Sequence, residues 1–360
     1  MEETLRRMNE MVQKATLQAR GRSLSMRKKR DPTRPSAKWV SSARVGREQG
    51  TALAIVLSTV GCAHARSDSG GCTMCSYLLD GVQERPTSDE LVAQFKFAMT
   101  ELKDKDAPLS VKIYTSGSFL DSEEVPLDAR KEILETIAED ERIREVVLES
   151  RPEYVIDSIL SQVRTILGDR IVEIGMGLES ANDTIRSICI NKNFDLQMFK
   201  NALKKAKNYN IGMRAYVLLK PPLLTERYAL DDAISTIQAA RDMGVTTVSL
   251  NPVNVQKDTL VEKLWTRGNY RPPWLWSVLE VLRESSKSSD KWMKIVCDPV
   301  AGGKKRGPHN CGKCDGEILD AIRQFSLNQD SMSLNDLTCD CINQWKHVLK
   351  HEDFSMVVHR

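Results

Sequence analysis

The sequence lacks a long apolar run. Its longest, ALAIVLSTVG at residues 52–61, is too short to span a bilayer. The first thirty residues are basic and amphipathic, without an apolar stretch before a small-residue cleavage site, so they do not resemble a secretory signal peptide. Repeats of fixed period and long low-complexity segments are also absent. These absences argue against a membrane or secreted protein.

An even number of cysteines is missing as well. The chain has nine cysteines, an odd number that cannot all pair in disulfides, and it has no secretory signal that would favour such pairing. We therefore interpret the thiols as metal ligands or reduced core residues, and expect a reducing, cytoplasmic location. With 360 residues, 41% hydrophobic and 28% charged, the composition is typical of one large domain with appendages, or of two domains.

The net charge is small but unevenly distributed. It is +3 for the whole chain, whereas residues 1–48 hold 13 lysines and arginines against five acidic residues, which leaves the remainder at −5. We predict a basic N-terminal arm over 1–48, suited to a polyanion such as RNA. The alternative is that RGRSLSMRKKRDPTR is a solvated tail without a partner.

Short β-branched apolar runs alternate with longer amphipathic segments between residues 49 and 256. This alternation predicts βα units around a parallel sheet. Six units favour an α/β fold, a partial (β/α)6 TIM-like barrel, with polar residues at the carboxyl ends of its strands. The predicted strands are 51–61, 109–117, 143–150, 170–180, 212–220 and 246–255. Residues 257–360 no longer show this alternation and are predicted to form a C-terminal α+β extension stabilised by a metal.

Three cysteines follow the first predicted strand, in the stretch VGCAHARSDSGGCTMCSY. Cys62, Cys72 and Cys75 are an odd number for a zinc site or a disulfide, but a [4Fe-4S] cluster with one iron open to a ligand needs three thiolates. Nearby glycines allow the loop to curl around such a cluster. The alternative is that Cys72-x-x-Cys75 is half of a zinc site or a redox pair.

These cysteines resemble those of the radical SAM enzymes, and their nine- and two-residue gaps are similar to the Elongator-catalytic-subunit branch. A nearer resemblance, over roughly residues 50–345, is to the archaeal radical SAM partner of archaeosine synthase, the RaSEA family. The motifs that carry it occur in order as HARSDSGGCTMCSY, YTSGSFLD, LESRPEY, GLESANDTIRSICINK, YVLLKPPLLTE and RGPHNCGKCD.

The resemblance implies a [4Fe-4S] cluster, S-adenosyl-L-methionine and a tRNA substrate. In that family a separate synthase subunit attaches lysine to 7-cyano-7-deazaguanine at tRNA position 15. The radical SAM protein then breaks a carbon–nitrogen bond of the lysyl group and leaves archaeosine, as a lyase that takes electrons from a donor such as ferredoxin or flavodoxin. No membrane partner is implied.

Several residues at predicted strand ends are candidates to bind the cofactor. Tyr77 would pack on the adenine, and the TSGS backbone would accept the methionine ammonium unless it is a plain turn. A carboxylate after the third strand would hold a ribose hydroxyl or an amine, or else pair with Arg151. Arg186 would meet the cofactor carboxylate, or lie on a solvated helix face. The candidates are Tyr77, Ser116, Gly117, Glu149, Glu179, Ser180 and Arg186.

Two residues are candidates to act on the substrate. Lys220 ends the fifth predicted strand before two prolines, where a lysine could bind phosphate or carboxylate, or extend to solvent. Asn251 ends the sixth strand and is a similar polar candidate. Cys189 has no cysteine at metal-site spacing and is interpreted as a buried small hydrophobe.

Four further cysteines predict a second metal site near the C-terminus. Cys311-x-x-Cys314 and Cys339-x-Cys341 together have the number of thiolates that structural zinc requires. His309 or Cys297 could replace one ligand, and a second iron–sulfur cluster is an open alternative. The adjoining GGKKRGPHN would then be a metal-braced basic loop suited to an RNA backbone.

Two other functions compete with the archaeosine reaction. Another tRNA-directed radical SAM activity, such as the wobble-uridine chemistry of the Elongator relative, is disfavoured because no acetyltransferase-like segment follows the barrel. A methylthiotransferase is disfavoured by the nine-residue gap and by the missing extra N-terminal cluster domain. A non-catalytic iron–sulfur or zinc RNA-binding protein would also explain the basic arm and cysteines, but it would not cleave S-adenosylmethionine.

Overall fold

Eight strands form one sheet whose spatial order follows the chain. The computed structural model describes residues 2–21, 30–287 and 293–353. The edge strand β1 pairs antiparallel with β2, and all later neighbours pair in parallel. The strands are β1 (Ala37–Val45), β2 (Glu48–Val56), β3 (Leu109–Tyr114), β4 (Ile143–Glu149), β5 (Ile171–Glu179), β6 (Gly212–Leu219), β7 (Thr247–Pro252) and β8 (Lys294–Val296).

Helices alternate with the strands and are capped by their own sequence. Thr87 and Glu90 form a capping box at the start of α3, and Gly244 ends α7 with a φ of 79°. The helices are α1 (Glu2–Arg20), α2 (Ala63–Arg66), α3 (Ser88–Met99), α4 (Leu127–Ala138), α5 (Asp157–Leu167), α6 (Leu196–Asn208), α7 (Glu226–Met243), α8 (Leu260–Thr266), α9 (Leu275–Ser286), α10 (Asp315–Asn328) and α11 (Ile342–His351). Among the described helices, none has the length and apolar character needed to cross a bilayer.

Alternation along the strands separates an apolar layer from a polar lumen. On β3, Val111 and Ile113 are fully buried in the core shared with the helices, while Lys112 and Tyr114 lie on the opposite face and are less buried. The apolar faces of the strands and helices form the main core, and the other face of the sheet lines the inside of the barrel.

The lumen is filled by ion pairs toward the amino ends of the strands. Glu173 lies 2.8 Å from Arg214, and Glu145 lies 2.9 Å from Lys294 and 3.8 Å from Arg214. Burial opposes ionisation of Glu173, but Arg214 and Lys294 outweigh it and lower the carboxyl pKa. This charged network closes the base of the barrel, so any site in the lumen opens at the carboxyl ends of the strands.

The predicted six-unit partial barrel is confirmed. Strands β2 to β7 correspond to the six predicted strands and run parallel in chain order. The first is shorter than predicted and ends at Val56, because the chain turns away toward Gly61, whose φ is 86°.

The two ends of the chain belong to the fold more closely than the sequence suggested. The arm predicted over 1–48 contains α1 and β1, and its most basic part, 22–29, lies outside the described residues. Past residue 256, β8 pairs with β7, and α9 packs against α7. The C-terminal α+β extension therefore adds an eighth strand to the sheet.

Candidate functional site

The loop after β2 places Cys62 against the loop after β3. Cys62 N–H donates to the carbonyl of Ser116 at 3.2 Å. Gly61 turns the chain there with a positive φ, and a Cβ on it would lie 2.6 Å from Leu78 Cδ1. A side chain at Gly117 would be impossible, since its Cβ would overlap Glu124 Oε1 and lie 2.5 Å from Cys62 Cα.

A buried carboxyl supports this junction from below. Glu124 accepts hydrogen bonds from Thr59 Oγ1 and from the N–H of Ser118, each at 2.7 Å. Burial raises the pKa of Glu124 to about 7. Sequence analysis missed this residue, because a glutamate three residues before a helix carries no signal of burial. It fixes the two loops that meet at Cys62 and Gly117.

The rest of the cysteine loop is attached to the segment that follows β5. Thr73 donates to the carbonyls of Ile190 and Cys189, at 3.0 and 2.8 Å from its N–H and hydroxyl. The Asn191 side-chain amide donates to Ser69 O and Gly71 O, at 2.8 and 2.7 Å. These bonds hold the loop without using a thiol, so all three cysteines remain available as ligands.

Two of the loop thiols, Cys72 and Cys75, lie in a low-dielectric environment. Burial, together with the neighbouring Cys72 and Cys62, raises the pKa of the Cys75 thiol to about 12. Burial also raises the pKa of Cys72, against the nearby Lys192. Such thiols ionise only beside a strong positive centre, and a coordinated metal is one.

In the part of the chain that the structure describes, the three loop thiols do not form a group whose ligand atoms all lie within 4.8 Å of one another. Zinc–sulfur bonds of about 2.3 Å place tetrahedral ligand sulfurs roughly 4 Å apart. Among the described residues, the group whose ligand atoms all lie within 4.8 Å is a different one, Cys311, Cys314, Cys339 and Cys341. The thiolate ligands of a multi-iron cluster lie farther apart than the ligands of a single ion, because each binds a different iron. Such a cluster suits Cys62, Cys72 and Cys75.

Polar groups at the neighbouring strand ends face the same space. Ser116 Oγ is buried and has no hydrogen-bond partner among the described residues. Glu149 Oε2 lies 3.4 Å from the Thr115 N–H, and burial, Glu124 and Glu179 raise its pKa to about 8 against the effect of Lys192. A carboxyl with that pKa is largely protonated at neutral pH and can donate a hydrogen bond.

Glu179 pairs with a lysine that sequence analysis missed. Lys192 Nζ lies 2.8 Å from Glu179 Oε1, and both side chains are almost fully buried. Glu179 has a φ of 63° at an irregularity in the pairing of β5 with β6, and Gly177 leaves space for both side chains. Tyr77 is 51% exposed at the rim of the site.

Two predicted cofactor ligands are engaged elsewhere. The Ser180 hydroxyl donates to Asp232 Oδ1 at 2.8 Å. Arg186 is fully buried, donates to Ser180 O at 2.6 Å and pairs with Asp183. A solvated position for Arg186 was wrong, because the π-turn at Ile185–Cys189 folds its side chain back under β5. Both side chains stabilise the turn that carries the cysteine loop.

The two substrate candidates differ in their surroundings. Lys220, with a φ of 62°, is buried, and its Nζ lies 2.6 Å from Glu226 Oε2 at the start of α7 and 3.9 Å from Glu352 Oε1. Its ammonium is therefore neither free for phosphate nor in solvent. Asn251 is exposed on the lumen side of β7 and can meet a substrate.

We expect Lys220→Ala to destabilise the protein by about 3–5 kcal/mol, because it leaves the Glu226 carboxylate buried without its counter-ion. Thermal unfolding would measure this, with the exposed Lys200→Ala as control. The double variant Lys220→Met, Glu226→Gln should recover much of the loss. If Lys220→Ala instead unfolded like the wild type, the ion pair would not have the structural role its burial indicates.

The C-terminal cysteines meet as predicted. Cys311 and Cys339 sulfurs are 3.7 Å apart, and those of Cys314 and Cys341 are 3.6 Å apart. Cys314 and Cys341 precede α10 and α11, so two helix starts are joined here. The backbone N–H of Lys313 stabilises the Cys311 thiolate and lowers its pKa to about 7.

The surroundings of this group have the polar contacts of a metal centre. Trp276 Nε1–H donates to Cys341 Sγ at 3.3 Å, and Asn310 Nδ2 to Cys314 Sγ at 3.5 Å. The alternative ligands lie outside the group: Cys297 is buried in the core, and His309 Nδ1 lies 2.8 Å from Gly307 O.

The partial barrel of this chain is shared with a solved structure. Elp3 of Methanocaldococcus infernus, with its N-terminus deleted, shares the fold with a TM-score of 0.51 and 15% identity, over 69% of this chain and 60% of that chain. No family model matches the sequence.

Sequence relatives define the family. The archaeosine synthase subunit beta of Methanosarcina acetivorans is 41% identical over 345 residues, 96% of this chain and 97% of that protein. The protein of the same name from Thermococcus kodakarensis is 36% identical over 314 residues, 87% of this chain and 96% of that protein. The chain belongs to the archaeosine synthase subunit beta family, which confirms the predicted resemblance.

Proposed function

We propose that this protein is the radical SAM lyase that completes archaeosine in tRNA. Its substrate would be the lysine adduct of 7-cyano-7-deazaguanine at position 15, and the bond broken would join the lysyl carbon to nitrogen. The observation that carries the proposal is the Cys62, Cys72 and Cys75 loop at the carboxyl end of β2, in a chain of the archaeosine synthase subunit beta family.

The three loop cysteines would hold a [4Fe-4S] cluster, with S-adenosylmethionine on its open iron. When bound, these groups supply reductive cleavage of the cofactor and removal of a hydrogen atom from the substrate. Three observations support the fit: the loop thiols, which are held by backbone contacts and not by one another, the Ser116 Oγ without a hydrogen-bond partner among the described residues, and the close approach at Gly117 that excludes any side chain.

The surrounding residues would bind the cofactor and the substrate and shield them from water. Glu149, largely protonated at neutral pH, would donate to or accept from a cofactor hydroxyl or amine, and Glu179 with Lys192 would fix the next strand end. Tyr77 would cover the adenine from the rim, and Asn251 would contact the lysyl group from β7. The ion pairs at the base of the lumen exclude water from that side.

The C-terminal cysteines would bind a structural zinc ion. Their number, their mutual approach and the donors from Trp276 and Asn310 favour a closed four-thiolate site. The site joins the starts of α10 and α11 and lies beside the basic loop over 302–310, which would follow an RNA backbone.

The proposal implies three partners. The family name, subunit beta, supports a second subunit, and we assign to it the transfer of lysine to the base. The tRNA is the substrate of both. A low-potential donor such as ferredoxin or flavodoxin would reduce the cluster.

Anaerobic reconstitution with iron and sulfide, followed by incubation with reductant, S-adenosylmethionine and lysine-modified tRNA, tests the proposal. Nucleoside mass spectrometry should show archaeosine, with 5′-deoxyadenosine released in parallel. Unmodified tRNA should give no archaeosine, and Cys75→Ala should give neither product.

Other products would contradict the proposal in distinct ways. Release of 5′-deoxyadenosine without archaeosine would indicate another radical SAM activity, such as that of the Elongator relative. Binding of tRNA without either product, in protein with full iron content, would indicate a non-catalytic RNA-binding protein.

A further inference from the structure

The first helix of the chain lies on the cysteine loop. Helix α1 packs against α8 and the π-turn at Ile185–Cys189, which itself holds Thr73 of the loop. The last residue of α1, Arg20, is only 4% exposed.

Arg20 binds the loop at two points. Its Nε donates to the carbonyl of Gly70, and its Nη2 donates to the carbonyl of Cys75 at 3.0 Å. Gly70 precedes Cys72 by two residues, so the two bonds bracket the Cys72-x-x-Cys75 turn. A planar guanidinium can make both bonds at once in a fixed orientation.

Side-chain packing supports these bonds. Gly70 and Gly71 both have positive φ values, and a Cβ on Gly70 would lie 3.0 Å from the Leu17 side chain. A Cβ on Gly71 would lie 2.7 Å from Ala65 Cα and 3.1 Å from Arg20 Nη2. The close packing around this part of the loop therefore requires glycine at both positions.

One donor of the buried guanidinium remains unused. Arg20 Nη1 is buried and has no hydrogen-bond partner among the described residues. Buried polar atoms without a partner are rare in native structures and often mark the place of a group that binds there. The neighbouring groups that contact Arg20 belong to the cysteine loop, so a ligand of that loop is the simplest acceptor.

We propose that Arg20 is a positioning residue for the iron–sulfur cluster: it fixes the Cys72–Cys75 turn through Gly70 and Cys75, and its Nη1 donates to a cluster or thiolate sulfur. The inference rests on the proposed cluster. A positive charge and a hydrogen bond at sulfur favour the reduced, more negative cluster and raise its reduction potential. An N-terminal helix would thereby tune the electron transfer that starts the reaction.

Hydrogen exchange on the metal-free full chain tests the positioning half without any cluster. Arg20→Ala should speed exchange of the amides in residues 70–76 roughly tenfold or more, because the turn loses both charged donors. Arg7→Ala is the matched control, since Arg7 is exposed on the same helix and pairs with Glu3 alone. Unchanged exchange in Arg20→Ala would overturn the proposal.

Potentiometry with electron paramagnetic resonance on reconstituted protein tests the electrostatic half. Arg20→Ala should lower the midpoint potential of the cluster. Arg20→Lys keeps the positive charge but loses the planar guanidinium that makes both hydrogen bonds. Its midpoint potential should therefore stay nearer that of the wild type, while the amides of the loop should still exchange faster. Equal potentials in wild type and Arg20→Ala would refute the hydrogen bond to sulfur. If wild-type protein took up no cluster at all, the proposed function would fail, whereas the exchange result would stand independently.

Discussion

Replacing Cys62, Cys72 or Cys75 with alanine is expected to abolish the iron–sulfur absorbance and the cleavage of S-adenosylmethionine together. Each variant removes one of three ligands from a cluster that has no fourth protein ligand. Of the remaining thiols, four meet near α10, Cys297 lies in the main core, and Cys189 is buried among apolar side chains near the loop. Iron and sulfide analysis, visible absorbance and 5′-deoxyadenosine formation would measure the loss.

Cys189→Ala is the matched control for these variants. Its side chain is buried among apolar residues near the loop, and the bond it offers the loop comes from its backbone carbonyl, which alanine retains. It should keep full iron content and turnover. A triplet variant that kept both would show that the cluster is held by other residues.

Loss of the C-terminal metal is expected to have the second large effect. Cys314→Ser or Cys341→Ser should remove about one zinc per chain and lower the unfolding temperature markedly, because structural zinc in small domains contributes about 10–16 kcal/mol of apparent binding free energy. The two residues begin α10 and α11, and both sulfurs accept from core side chains, so helix packing depends on the site. The iron–sulfur spectrum should persist in the folded fraction.

Cys297→Ala separates metal loss from simple cavity formation. Cys297 is as buried as the two ligands but lies outside the four-thiol group. It should lose some stability and keep its zinc. Metal analysis of the wild type that found iron alone, in about twice the amount one four-iron cluster requires, would contradict the zinc assignment.

The parallel sheet could be predicted because its signals are local. Strands such as β4 and β6 are apolar, β-branched runs bounded by helix patterns, and the cysteine loop follows directly from the end of β2. The C-terminal site was predictable for a similar reason, since paired short spacings place two thiols on one turn each.

The edge strand and the first helix were not predictable in the same way. AKWVSSARV is a half-exposed strand, rich in small polar residues, that becomes a strand by pairing with β2. The sequence of helix α1 predicts a basic amphipathic segment, but it does not indicate where that segment packs. Its position follows from Arg20, whose partners at Gly70 and Cys75 are 50 and 55 residues away.

Side-chain roles at the strand ends depended on ion pairs between distant residues. Lys220 was expected to face the substrate, but Glu226 at the start of α7 takes its ammonium. Glu179 was expected to bind the cofactor, and the irregular end of β5 brings it to Lys192, a partner that was not expected. The partner in each of these ion pairs depends on where a helix or a β-bulge brings a distant part of the chain. The spacing of residues along the sequence does not reveal that position.

The central claim is carbon–nitrogen cleavage of the lysine adduct, and an isotope experiment tests it most directly. A nitrile carbon that has accepted a lysine amine carries two nitrogens, and archaeosine retains both if the bond from lysyl carbon to nitrogen breaks. With tRNA modified by lysine that carries 15N at both amines, the reconstituted protein should form archaeosine one mass unit heavier than with unlabelled lysine, because one of the two labelled nitrogens stays on the base. Unlabelled archaeosine, or lysine-modified base left intact while 5′-deoxyadenosine accumulates, would contradict the proposed reaction.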